Sequence, residues 1–208
     1  MVNNMAKKLI HQSLLIFLLT LFPLAHSWAG DLGPGEIIVA TIDRGIKILE
    51  DPQLQGFDKF QERKDKLWAI LTPVFNFKET SRRALGHHWK SRTDEERKEF
   101  VEVFTQVLRD IYLGKTDTYS GGKFIYVREI VKGKRGKVQT NFITSDQKKV
   151  VVDFSMRINN GTWKIYDITI EGVSMVGNYR SQFNAILAKS SFEDLMEKLY
   201  KKRDEFVH

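Results

Sequence analysis

At Lys123 the spacing of apolar residues shifts from the three-to-four of helices to the two of strands, and after Ile170 it shifts back. A chain patterned helix, strand, helix folds in segregated layers, because every helix stripe and strand face needs a partner surface. This pattern predicts an α+β domain, an antiparallel four-stranded twisted sheet packed against several helices.

In the first helical stretch Ile38, Ile42, Ile46 and Leu49 recur at steps of four, four and three, predicting a helix over 36–50. Pro52 and Gly56 punctuate the chain, and Phe57, Phe60, Leu67, Trp68 and Leu71 mark a second helix that Pro73 ends. A short helix is expected over 78–85. Thr93-Asp94-Glu95-Glu96 has the capping-box pattern, in which a hydroxyl and a carboxylate each take up a free backbone N–H, so a helix starts there. Its stripe of Phe100, Phe104, Val107 and Ile111 is flanked by Val101, Leu108 and Tyr112, giving a wide apolar sector.

Strands are expected over 123–131, 137–143, 149–158 and 162–170, with Asn160-Gly161 as a hairpin turn between the last two. Setting Ile158 opposite Trp163 brings Met156 to Ile165 and Val152 to Thr169 on a mainly apolar face. The other face then holds Ser155, Arg157, Lys164 and Tyr166. Helical spacing returns with Val176, Tyr179, Phe183, Ile186 and Leu187. A last helix carries Phe192, Leu195, Met196 and Leu199, with Ser190 and Glu193 as its expected capping pair.

The N-terminus reads as a leader. Lys7 and Lys8 precede a short apolar run that breaks at Pro23 and reaches Ser27-Trp28-Ala29-Gly30, the small-x-small pattern of a secretory cleavage site after Ala29. The uninterrupted apolar core is about a dozen residues, shorter than the roughly 20 of a spanning helix. Residues 1–29 are therefore expected to be removed, leaving a single domain over 30–208. Loss of the two leader lysines lowers the formal net charge from +7 to +5.

Composition limits the chemistry. With 42% apolar and 28% charged residues, the chain is too apolar for disorder and too charged for a polytopic membrane protein. The absence of cysteine removes disulfides, thiolate metal sites, thiol nucleophiles and a lipid-modified cysteine. His87 and His88 are neighbours, so on a helix they point about 100° apart and cannot share one metal ion. Gly114-Lys115-Thr116 resembles the end of a phosphate loop, but Arg109 stands where the earlier glycine belongs and the triplet follows a helix rather than opening one. Ser145 and Lys148 have a Ser-x-x-Lys spacing inside a predicted turn, where turn chemistry accounts for them. The basic run of Lys132, Lys134, Arg135 and Lys137 reads as a solvated hairpin tip or as a contact for phosphate groups. Export argues against nucleic acid as its partner, leaving a membrane surface or a protein.

The block Trp163-Lys164-Ile165-Tyr166-Asp167-Ile168-Thr169-Ile170-Glu171-Gly172-Val173-Ser174 continues into Met175-Val176-Gly177-Asn178-Tyr179-Arg180-Ser181-Gln182-Phe183. It resembles the signature of the periplasmic phospholipid-binding component of the maintenance-of-lipid-asymmetry system, also called the toluene-tolerance auxiliary family. Phe75-Asn76-Phe77 and Ala84-Leu85-Gly86 with Trp89 resemble the helical half of the same family, so the resemblance spans nearly the whole chain after the leader.

The resemblance implies a soluble periplasmic carrier, not an enzyme, with phospholipid as cargo, no other cofactor and no catalytic residue. Its implied partners are an inner-membrane ABC transporter complex and an outer-membrane lipoprotein complex, and it is expected as a monomer. The helices and sheet would enclose an apolar lipid cavity. From pattern alone Phe104, Leu108, Ile111, Tyr112, Val152, Phe154, Met156 and Ile165 suit a filled core equally well; the resemblance assigns them to lipid binding. Val173, Met175, Val176 and Tyr179 join them from the matching block. Asp167 reads as a structural group on the inward face, satisfied by Arg180 or a tyrosine hydroxyl. Three alternatives stay open: a hopanoid-associated carrier of the same family, an envelope interaction module with a filled core, and an exported hydrolase resting on His87 and His88.

Overall fold

The computed structural model describes residues 32–114 and 121–205, so the expected leader and its cleavage site lie outside the described residues, as do Lys115 and Thr116. Helices α1 (Pro34–Glu50), α2 (Phe60–Leu71), α3 (Phe77–Leu85) and α4 (Asp94–Leu113) precede strands β1 (Gly122–Lys132), β2 (Arg135–Thr144), β3 (Lys149–Asn159), β4 (Thr162–Ile170) and β5 (Val173–Ser174). Helices α5 (Met175–Leu187) and α6 (Phe192–Asp204) close the chain. Short 3-10 turns join the early helices. Phe57, expected on the apolar stripe of the second helix, lies in one of them and is 91% exposed.

The helix starts follow local hydrogen bonding. The Thr93 hydroxyl accepts from the Glu96 N–H at 3.1 Å, and the Thr93 N–H donates to the Glu96 carboxylate at 2.6 Å, as the capping box requires. At α6 the box is one residue later than expected, between Ser191 and Asp194. The pair must stand three positions apart for each side chain to reach the other's backbone, a condition both pairs meet. Only the structure shows which of the two adjacent serines opens the helix.

The sheet is antiparallel in the order β1-β2-β3-β4-β5, five strands rather than four. The fifth has only two residues. Glu171 and Gly172 both take positive φ (48° and 80°) and fold the chain back, so Ile170 pairs with Val173 and Thr169 with Ser174. A two-residue strand is too short to show a period. Asn160 and Gly161 likewise have positive φ and make the expected hairpin turn.

The β3–β4 register agrees with expectation from Ile158 opposite Trp163 to Met156 opposite Ile165, then shifts by one residue. A bulge at Tyr166 places Ser155 opposite Asp167 and Val152 opposite Ile170, not Thr169. The physical gain is clear. Without the extra residue Asp167 and Thr169 would point into the apolar face; with it, Ile168 and Ile170 continue the face begun by Trp163 and Ile165. Close packing holds the other end of that face, where a Cβ on Gly136 would lie 3.1 Å from the Trp163 ring.

Two apolar clusters result. One joins α3, α4, α5 and α6 around Phe100, Phe104, Phe183 and Leu195. The other joins α1 to the sheet around Ile38, Val138, Met156 and Ile165.

Candidate functional site: an apolar pocket between two cores

The two clusters do not merge into one filled interior. Between them lies a pocket of about 440 Å³, lined from α1, α2, Phe75 and Phe77, α4, the apolar sheet face and the turn into α5. The stripe legible in α1 supplies Ile38, Ile42, Ile46 and Leu49; α2 adds Leu67, Trp68 and Leu71; the sheet adds Phe124, Phe154, Ile165 and Ile168. Such a volume falls within the roughly 300–1,000 Å³ of ligand pockets.

Arg109 is the single charged side chain among the described residues lining it. It is tied down by an ion pair with Asp65 on α2 and stacks over Trp68 at 5.6 Å. At the adjoining positions, Lys64 and Asp110 form a mostly buried ion pair at 2.6 Å. These two pairs pin α2 to α4 along the pocket side. Removing one member of the inner pair would leave a buried charge without its counterion.

Of the twelve residues expected to bind lipid, Leu108, Tyr112, Phe154, Ile165, Val173 and Met175 line the pocket. The other six lie away from it. Phe104 belongs to the helical cluster, with Ile111 and Tyr179 partly buried against it, and Val152 and Met156 belong to the sheet cluster. Val176 is 3% exposed at the start of α5. The α4 sector is wide because it serves two surfaces, with Phe100, Phe104 and Val107 facing the helical cluster and Leu108 and Tyr112 bordering the pocket. The Phe104 ring meets Tyr179 and Phe183 nearly edge-on at 4.9 and 5.3 Å. Burial, and then the neighbouring Tyr112, push the Tyr179 hydroxyl up to about 12, so it stays protonated.

Asp167 does not pair with Arg180 or a tyrosine. Its carboxylate accepts from the Ser174 hydroxyl at 2.6 Å and from the Val176 N–H at 3.0 Å, while the Arg180 guanidinium donates to the Arg83 carbonyl. The bulge turns Asp167 onto the outer face, where it caps the first turn of α5 together with Ser174. On the far side of that face Glu79 gathers Arg82 and Arg83. Burial works against the Glu79 carboxylate, but hydrogen bonds from the two arginines outweigh it and hold the group below its ordinary range.

The His87 and His88 rings are tilted at 37° with centres 3.8 Å apart, and neither residue lines the pocket. No group of three or more His, Asp or Glu placed to hold a metal lies among the described residues. No helix among them is long and apolar enough to cross a membrane.

Among the described residues, a five-stranded antiparallel sheet and six helices, with an apolar pocket at the sheet face beside α1, α2 and α4, define a pocket-bearing α+β domain. The chain belongs to the MlaC protein family, whose pattern matches residues 40–201. It is 25% identical over 196 residues to the intermembrane phospholipid transport system binding protein MlaC of Haemophilus influenzae, a match covering 90% of each chain. Its fold resembles that of a phospholipid-binding protein from Ralstonia solanacearum solved in complex with a phospholipid, with a TM-score of 0.70 and 21% identity, covering 83% of this chain and 97% of that one.

Proposed function

We propose that this protein is a periplasmic carrier that holds phospholipid tails in the pocket and moves the lipid between an inner-membrane ABC transporter complex and an outer-membrane lipoprotein complex. The observation that carries this reading is the pocket itself, about 440 Å³ of apolar space that two filled cores leave open between them. Unfilled apolar volume costs stability, so an occupant that supplies matching apolar surface is favoured there. The names of the Haemophilus and Ralstonia relatives support phospholipid as the occupant.

A diacyl lipid carries about 30 methylenes worth about 0.8 kcal/mol each, roughly 24 kcal/mol in all, so free passage through water is closed to it. The carrier covers the tails and makes the crossing between docked complexes. In this reading residues 1–29 are an export signal removed after Ala29, and the chain performs no chemistry on its cargo. Leu108, Tyr112, Phe154, Ile165, Val173 and Met175 touch the tails, and Phe104, Ile111, Val152, Met156, Val176 and Tyr179 form the wall behind them.

Filling the pocket tests the proposal. Ile46→Trp and Ile168→Trp each place an indole where the tails would lie. The expected result is loss of co-purifying phospholipid with cooperative unfolding retained. Unchanged lipid content in both variants would contradict it.

A further inference from the structure

The outer face of the sheet carries a feature that the pocket does not use. In register, Lys132 stands opposite Arg135, Arg135 opposite Arg157, and Arg157 opposite Lys164. Directly paired residues project to the same face, so four cations form one row across β1, β2, β3 and β4. Val138, Met156 and Ile165 occupy the opposite face, toward α1 and the pocket. Like charges directly opposed repel, and here they do so at three consecutive junctions, an arrangement the fold itself does not need.

Part of the row is tied to its surroundings. Arg157 lies 3.7 Å from the Glu79 carboxylate, and the Lys164 ammonium donates to the Pro73 carbonyl. At the hairpin end, no carboxylate among the described residues comes within ion-pair distance of Lys132, Lys134 or Arg135. These three, with Lys137 and Arg157, border a second concavity of about 510 Å³. Beside them Ile130, paired with Lys137 and so on the same face, is 46% exposed. The β1–β2 hairpin thus ends in cations flanking an aliphatic side chain open to solvent.

We propose that this hairpin is a membrane-docking surface for a bilayer bearing anionic phospholipids. Lys132, Lys134, Arg135 and Arg157 meet lipid phosphates, while Ile130 enters the boundary between head groups and hydrocarbon. An acidic protein patch would answer the cations but set charge against the aliphatic Ile130; the bilayer interface satisfies both. Because the row and the pocket lie on opposite faces of the sheet, docking leaves the pocket wall untouched. The inference goes beyond the carrier function and does not depend on what fills the pocket.

Vesicle co-sedimentation of the purified protein tests it, using phosphatidylcholine alone and phosphatidylcholine with about 30% phosphatidylglycerol. Partitioning onto the anionic vesicles is expected to exceed that onto neutral ones by about tenfold or more at low salt, and to collapse at about 0.5 M NaCl as screening shortens the reach of the charges. K132E/R135E should lose the preference. K198E/K201E on α6, with the same change in net charge, should keep it. K132Q/R135Q should weaken binding without lowering the melting temperature, since it also removes like-charge repulsion. Equal binding to both vesicle types, equal loss in the α6 variant, or row-dependent binding of a hexaglutamate peptide with none to anionic vesicles would each overturn the proposal.

Discussion

Phe104 and Leu108 sit one turn apart on α4 and face different surroundings. The Phe104 ring is wedged among Tyr179, Phe183 and Phe100, so Phe104→Ala leaves a cavity in rigid packing and is expected to cost about 3–5 kcal/mol in urea unfolding. Leu108 borders space that is already open, and Leu108→Ala should fall at the low end of such truncations, about 2 kcal/mol. In the sequence the two residues carry the same signature. Apolar periodicity reports that a side chain is buried, not whether its neighbour is protein or a pocket, which is why half of the expected lining residues lie away from the pocket. Asp167 shows a second limit. Its need for a partner was legible, but the partner depended on a bulge that no spacing announces. Asp167→Ala strips an acceptor from the Ser174 hydroxyl and the Val176 N–H, and should cost about 1–3 kcal/mol with the pocket residues unchanged.

Helices and long strands are where periodicity read well, because a repeat sampled over ten or more residues survives local exceptions. The capping box at Thr93, the Asn160-Gly161 hairpin and the stripe of α1 rest on local chemistry and were legible for that reason. Strand β5 and the Tyr166 bulge were not, since each involves two residues or fewer. Between α3 and α4, the 3-10 segment Gly86–Ser91 holds His88. Burial first, and then the charge of His87 and of Arg92, lower its pKa from the ordinary 6.5, against an opposing influence of the nearby Asn184 amide. The unfolded chain therefore binds a proton at higher pH than the folded one. Stability from neutral His88 is complete above about pH 6.5 and is lost as pH falls through the lower folded value. Melting temperatures should drop between about pH 7.5 and 5, and His88→Asn should flatten that drop; an unchanged slope would remove His88 from the account.

At the scale of the molecule, the chain divides its apolar residues between two cores and leaves a pocket where they meet. That division links fold to the proposed cargo. A ligand that binds only the folded state raises its stability by mass action, about 2.7 kcal/mol at a hundredfold excess over Kd. Protein stripped of lipid should therefore melt about 5–10 °C below protein that carries it, and recover on reloading with phospholipid. Native mass spectrometry of the freshly purified protein shows whether the space between the cores holds phospholipid. The expected result is a population heavier than the polypeptide by the mass of a phospholipid, abolished in Ile46→Trp and Ile168→Trp. A bare polypeptide mass, persisting after incubation with phospholipid vesicles, would contradict it.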